Sequence, residues 1–136
     1  MSGLETMTEP HTVLLVDDDP DFRFQIRLQL QEAGFEVIEA PTAEQARKLM
    51  TSKEFDLAVV DLMMEEQDAG FALSRDIKKM NSSIPVIIIT GVASETGLEF
   101  DAATKEERSW IKADALLAKP VRFEQLMREI NRLVKV

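Results

Sequence analysis

The sequence contains no cysteine, which removes disulfide frameworks, thiolate metal sites and cysteine nucleophiles from consideration together and suits a reducing compartment. Histidine occurs once, at His11. It closes a polar, aperiodic lead-in, residues 1–11, that carries Pro10 and is expected to be a flexible segment doing no chemistry, with His11 solvated. Basic residues are in short supply: 16 Lys and Arg face 25 Asp and Glu, a formal charge of −9. A surface of that sign repels nucleic acid, and no Lys/Arg block offsets it, so direct nucleic-acid binding is not expected. No apolar run approaches the length of a membrane span, and the opening MSGLETMTEP has neither the basic nor the apolar region of an export signal. A soluble, cytoplasmic protein without membrane insertion is expected.

What is present suffices for one domain, placed at 12–136, because 45% of the 136 residues are hydrophobic and can build a core. Short apolar runs rich in β-branched residues, TVLLVD (12–17), FDLAVVD (55–61) and IPVIIIT (84–90), each end in a polar side chain and read as buried parallel strands. EVIEA (36–40) and DALLAK (114–119) are shorter runs of the same kind. Helical segments separate all five, which implies an α/β fold built on a βα-repeat sheet. Asp19-Pro20 marks an N-cap followed by an N1 proline, and Thr42-x-x-Gln45 fits a capping box. The first helix should bury Phe22, Ile26, Leu30 and Ala33 and stop at Gly34, which leaves Phe24 and Leu28 on the opposite side. Leu73, Ile77 and Met80 share a face of a later helix, and Phe123, Leu126, Ile130 and Leu133 mark a final one. Between Thr90 and Lys119 the chain is longer than one helix needs, with a helix expected only over 102–111 and Trp110 expected to pack.

Polar groups collect where such a sheet binds ligands, beyond the carboxyl ends of its strands. Asp17 and Asp18 follow the first run, Asp61 ends the third, Thr90 the fourth and Lys119 the fifth. Any one of these is weak as a signal, since aspartates commonly cap strands and helices and Asp19 is read as a cap only. Their joint appearance at successive strand ends carries the argument. Three crowded carboxylates repel one another unless a hard divalent cation neutralises them, and oxygen donors without His or Cys favour Mg²⁺, with Mn²⁺ as the other candidate. A lysine opposite can neutralise anionic oxygens and a threonine hydroxyl can donate to another. The set suits phosphoryl transfer to a carboxylate, with Asp61 as nucleophile.

The blocks VLLVDDDP, DLAVVDLMM, IPVIIITG and LLAKP, in this order over Thr12 to Leu133, resemble those of response-regulator receiver domains. The resemblance implies a flavodoxin-like, doubly wound five-stranded parallel sheet of order 2-1-3-4-5 with five helices. By position it implies Asp61 as phosphoacceptor, Asp18 as the direct metal carboxylate, Asp17 as a water-mediated one, and Met63 as a metal ligand through its backbone carbonyl. Thr90 would bond the phosphoryl group, Lys119 would pair with it, and the Lys119–Pro120 bond would be cis. The sequence departs from the family's pattern in the loop EEQDAGF, where Gly70 is displaced by one position, and at Leu116, where an aromatic switch residue is usual. Apolar Met63 and Val92 stand where family members control access of the hydrolytic water, so slow self-dephosphorylation is expected.

A stand-alone receiver is therefore expected, phosphorylated by a histidine kinase or histidine phosphotransfer protein and signalling to a downstream protein effector, with homodimerisation possible in this fold. Only sixteen residues follow Pro120, and the final helix uses them, so no output domain is expected. Two alternatives stand beside this reading: a degenerate receiver acting as a phosphorylation-independent interaction module, and an aspartate-nucleophile phosphohydrolase. The latter usually needs a second acid two residues beyond the nucleophile, where this chain has Met63. Nucleotide-binding glycine motifs do not occur in the sequence.

Overall fold

The computed structural model describes residues 11–61, 69–90, 113–119 and 121–134. Within them the chain runs β1 (Thr12–Val16), α1 (Pro20–Glu32), β2 (Glu36–Ala40), α2 (Ala43–Met50), β3 (Leu57–Asp61), α3 (Ala69–Met80), β4 (Val86–Thr90), β5 (Ala115–Ala118) and α4 (Phe123–Val134). The five strands form one parallel sheet of order β2-β1-β3-β4-β5, the flavodoxin-like arrangement expected. Four helices lie among the described residues. The helix expected over 102–111, the Trp110 packing, the Met63 and Val92 positions and the Lys119–Pro120 bond fall outside them.

The inner strands β1, β3 and β4 are almost wholly apolar runs because both faces of the sheet are covered there, whereas the edge strand β2 carries Glu36 and Glu39. Side chains alternate across it: Leu14, Val16, Ala58, Val60, Val86 and Ile88 join Ala46, Leu73 and Ile77 of α2 and α3. On the other face Val13, Leu15, Leu57, Val59, Ile87 and Ile89 join Ile26, Leu30, Leu126 and Ile130 of α1 and α4. Each fully buried Leu or Ile here is worth about 1.5–3 kcal/mol of burial free energy. Leu116 packs against the α2/α3 face as an ordinary, partly buried core contact.

Local signals set the helix boundaries. Asp19 caps α1 by accepting from the Asp21 and Phe22 amides at 3.0 and 3.3 Å, and Gly34 ends it with φ near 100°, a conformation that suits glycine. Thr42 Oγ1 accepts from the Gln45 amide at 3.1 Å at the start of α2. Ile26 and Leu30 are buried as the stripe required, while Phe24 and Leu28 stand 51% and 41% exposed.

Three side chains differ from the pattern reading. Ala33 is exposed, because it is the C-cap of α1 and lies beyond the helical turn that faces the sheet. Met80 is 46% exposed: its spacing suits the stripe, but it is the last residue of α3, beyond the turn that buries Leu73 and Ile77. His11 is half-buried and tied to the start of β2 from just before β1, its carbonyl accepting from the Glu36 amide at 3.0 Å and its ring centroid lying 6.5 Å from that of Phe35.

Two aspartates that precede strands tie the amino-terminal edge of the sheet. Asp56 Oδ2 accepts from the Thr12 amide at 2.8 Å. Asp114 Oδ2 accepts both from the Val86 amide at 2.8 Å and from Lys78 Nζ at 2.7 Å, and the same ammonium donates to the Ile84 carbonyl at 2.9 Å. Asp114 was read as strand; it instead precedes β5, with its side chain bonded to the Val86 amide at the start of β4.

Candidate functional site

Strand register builds the opposite edge. Val16 pairs with Val60, so Asp17 and Asp61 leave the sheet level with each other. Asp61 pairs with Ile89 and Thr90 with Ala118, so Thr90 and then Lys119 each extend one step further. The Lys119 amide donates to the Thr90 carbonyl at 2.8 Å, which fixes the end of β5 against β4. Asp17, Asp61 and Thr90 are all buried, and Asp18, next along the chain, is exposed.

One carboxylate oxygen from each of Asp17, Asp18 and Asp61 lies within 4.8 Å of the others. Lys119 Nζ is 3.5 Å from Asp17 Oδ2 and 3.7 Å from Asp61 Oδ1. It also sits 4.7 Å from the ring centroid of Phe22, an attractive cation–π contact. Among the described residues three carboxylates face one ammonium at this edge, a concentration of negative charge that a divalent cation would favour.

Asp17 is the most constrained member. Its Oδ1 accepts from the Asp19 amide at 2.8 Å, while Oδ2 is buried, has no hydrogen bond among the described residues and lies 3.5 Å from the Lys119 ammonium. A buried acceptor left this way costs about 1–3 kcal/mol. Burial pushes the Asp17 carboxyl above the ordinary 3.8; the Asp19 amide and Lys119 oppose that shift, and the Asp18 charge adds to it. An unsatisfied carboxylate oxygen inside an all-oxygen donor set fits a hard divalent cation and does not suit a soft metal.

The structure thus brings Asp17, Asp18, Asp61 and Lys119 together and places Thr90 at the same edge; Met63 lies outside the described residues. Pattern reading missed Arg23. Its Nη1 donates to the Asp17 carbonyl at 2.8 Å and its Nε to Glu39 Oε1 at 3.1 Å. Phe22 was read only as core, yet it also underlies the Lys119 ammonium. A strand-end pattern has no signal for either, because both contacts depend on how α1 lies across the sheet.

The comparisons with known proteins agree with this geometry. Residues 13–131 match the family described as the response regulator receiver domain. Among characterised relatives, the heme response regulator HssR of Staphylococcus aureus is 33% identical over 123 residues, covering 90% of this chain and 50% of its own length. The chain therefore spans about half the length of the HssR proteins it matches. Among solved structures, a CheY-like receiver domain protein of Methanospirillum hungatei superposes with a TM-score of 0.76 at 25% identity, covering 93% of this chain and 94% of its own. The response regulator TrrA of Thermotoga maritima, solved in complex with Mg²⁺-BeF, gives 0.73 at 28% identity over 90% of this chain and 98% of its own. The receiver domain of the Francisella response regulator 1452 gives 0.74 at 27% identity over 92% and 97%. Domains of this kind are regulatory phosphoacceptors of two-component signalling and not turnover enzymes. With a receiver sheet in order, an acidic cluster at its carboxyl edge and a family match over nearly its whole length, the chain belongs to the response-regulator receiver-domain family.

Proposed function

We propose that this domain accepts a phosphoryl group on Asp61 from a phosphohistidine of a kinase or phosphotransfer protein, in a Mg²⁺-dependent reaction. The observation that carries the reading is the buried, unbonded Oδ2 of Asp17 inside a three-carboxylate cluster faced by one lysine. Asp17, Asp18 and Asp61 would hold the cation, together with the Met63 carbonyl, and Mn²⁺ suits the same oxygen set. When bound, the cation supplies the charge that lets three carboxylates and an incoming phosphoryl group share one edge.

The side chains have distinct tasks. Asp61 attacks phosphorus with a carboxylate oxygen as the phosphorus–nitrogen bond breaks; its electron pair stays on the departing imidazole, which takes up a proton from solvent. Lys119, at 3.7 Å from Asp61, is placed to pair with a phosphoryl oxygen. Thr90 would donate its hydroxyl to another. Transfer changes the charge on Asp61 and the pairing of Lys119, which biases the conformation presented to a downstream protein effector or a second copy of the domain. The apolar Met63 and Val92 positions support slow loss of the phosphoryl group.

No described helix is long and apolar enough to cross a membrane. The test is intact-mass analysis after incubation with acetyl phosphate, with and without Mg²⁺, wild type beside Asp61→Asn. One phosphoryl adduct that needs Mg²⁺ and vanishes in the variant is expected. A folded, Mg²⁺-binding wild type that takes no adduct from acetyl phosphate or from a cognate kinase would turn the reading toward a phosphorylation-independent interaction module.

A further inference from the structure

The guanidinium of Arg23 spans two elements. From α1 it donates Nη1 to the backbone carbonyl of Asp17, just beyond β1, at 2.8 Å, and Nε to Glu39 Oε1 on β2 at 3.1 Å. Glu39 is in turn held from its other oxygen by Arg27, whose Nε lies 2.9 Å from Oε2. That second contact is a charge pair, since the Arg27 Nε–H does not point into a hydrogen bond. The Arg23 side chain is only 18% exposed, so the fork is sheltered, and Arg27 lies over the Phe24 ring at 5.2 Å. Glu39 is thus clasped by two arginines one helical turn apart, and the Arg23 guanidinium is left a fixed position from which it reaches the Asp17 carbonyl.

A peptide plane is rigid, so holding the Asp17 carbonyl also fixes the direction of the Asp18 amide on the same plane. Asp17 and Asp18 are the two carboxylates whose separation and aim depend on that plane. The Asp17 side chain has a second restraint, the Asp19 amide, but Asp18 is exposed and relies on the backbone to place it. Groups that orient metal ligands in this way commonly matter nearly as much as the ligands.

We propose that Arg23, anchored by Glu39, is a positioning residue that sets the Asp17–Asp18 peptide and with it the geometry of the metal carboxylates. This rests on the Mg²⁺-dependent phosphoacceptor reading above. It makes a prediction opposite in sign to simple electrostatics. A cation beside an acidic site repels Mg²⁺, so if Arg23 acted only as a charge, removing it would tighten Mg²⁺ binding. If Arg23 positions the ligands, removing it weakens binding.

The experiment is calorimetric titration with MgCl₂ of the wild type, Arg23→Met, Arg23→Lys and, as a control for loss of an arginine pair remote from the site, Arg47→Met, which breaks an exposed pair with Asp76 between α2 and α3 on the opposite face of the sheet. Arg23→Met is expected to raise the Mg²⁺ Kd about tenfold. Arg23→Lys keeps the charge but gathers its donors on one nitrogen in place of the fork that spans the Asp17 carbonyl and Glu39, and is expected to raise it about threefold. Arg47→Met leaves it unchanged. In acetyl phosphate labelling the half-saturating Mg²⁺ concentration rises by the same factors while the rate at saturating Mg²⁺ returns to the wild-type value. Unchanged or tighter Mg²⁺ binding in Arg23→Met overturns the proposal, and should that variant not fold, wild-type affinity in Arg23→Lys does so. A wild type that binds no Mg²⁺ fails the functional reading itself, and this inference with it.

Discussion

The two edges of the sheet treat their aspartates in opposite ways. At the amino-terminal edge Asp56 and Asp114 each bond the first amide of a neighbouring strand, and Asp114 adds a close lysine of its own at 2.7 Å. At the carboxyl-terminal edge three aspartates cluster, one lysine stands 3.5 Å from Asp17 and 3.7 Å from Asp61, and one buried oxygen has no hydrogen bond among the described residues. The first edge is built for stability. The second holds charge and lone pairs in reserve for something that binds, and the protein carries the cost of that in its unliganded state.

Substitutions at the two edges should therefore separate stability from phosphoryl chemistry. The largest effect is expected for Asp61→Asn, which abolishes the acetyl phosphate adduct by mass spectrometry while leaving the thermal transition at or above that of the wild type. A labelled Asp61→Asn protein would move the acceptor elsewhere. Next, Asp114→Ala takes its acceptor from the Val86 amide and leaves the half-buried Lys78 with backbone carbonyls alone, and should cost about 1–3 kcal/mol in urea unfolding with no change in Mg²⁺ affinity. A loss of Mg²⁺ binding there would show that the edges are not independent.

Asp17→Asn tests the reserve directly. In chelator the variant should be more stable than wild type by about 1 kcal/mol at neutral pH, because the amide needs no buried charge, and Mg²⁺ should stabilise it far less. The pH dependence has a defined sign. Burial raises the folded-state pKa of Asp17 above the ordinary 3.8, so between that value and the raised one the native state binds more protons than the unfolded chain. Its contribution to stability therefore falls as pH rises through this window and stays lost above it. Urea midpoints measured from pH 3.5 upward in chelator should show wild type declining relative to Asp17→Asn. Parallel curves would contradict the shift. The smallest effect is expected for Arg47→Met, whose pair with Asp76 is about two-fifths exposed on both sides, at under about 1 kcal/mol.

How much of this could be read in advance follows from which interactions are local. The strand ends were legible because a strand buried on both faces is an uninterrupted apolar run, so Asp17, Asp61, Thr90 and Lys119 stand out as the first polar residues after one. The caps at Asp19 and Thr42 were legible for the same reason, since each bonds an amide two or three residues away. Arg23 was not, because its partners on β1 and β2 become neighbours only when α1 packs across them. The same holds for Phe22 beneath Lys119. Met80 and Ala33 were misjudged because periodicity assigns a face but not the point at which a helix outruns the surface it covers. His11 was misjudged because a polar lead-in gives no sign that its last carbonyl meets Glu36.

The stepped register along the carboxyl edge has a further consequence for assembly of the domain. Asp17 and Asp61 become level only after β1 and β3, which are separated in the chain by β2 and its flanking helices, have zipped together side by side. Lys119 arrives only when β5 has added to β4 at the far edge. A polypeptide emerging from the ribosome can therefore gather its three carboxylates with the β1–β3 pairing, but no contiguous fragment short of β5 can set the lysine against them. Cation affinity is in that sense an early reporter of folding, gained when the two central strands pair, whereas the ammonium that faces the carboxylates marks the last pairing.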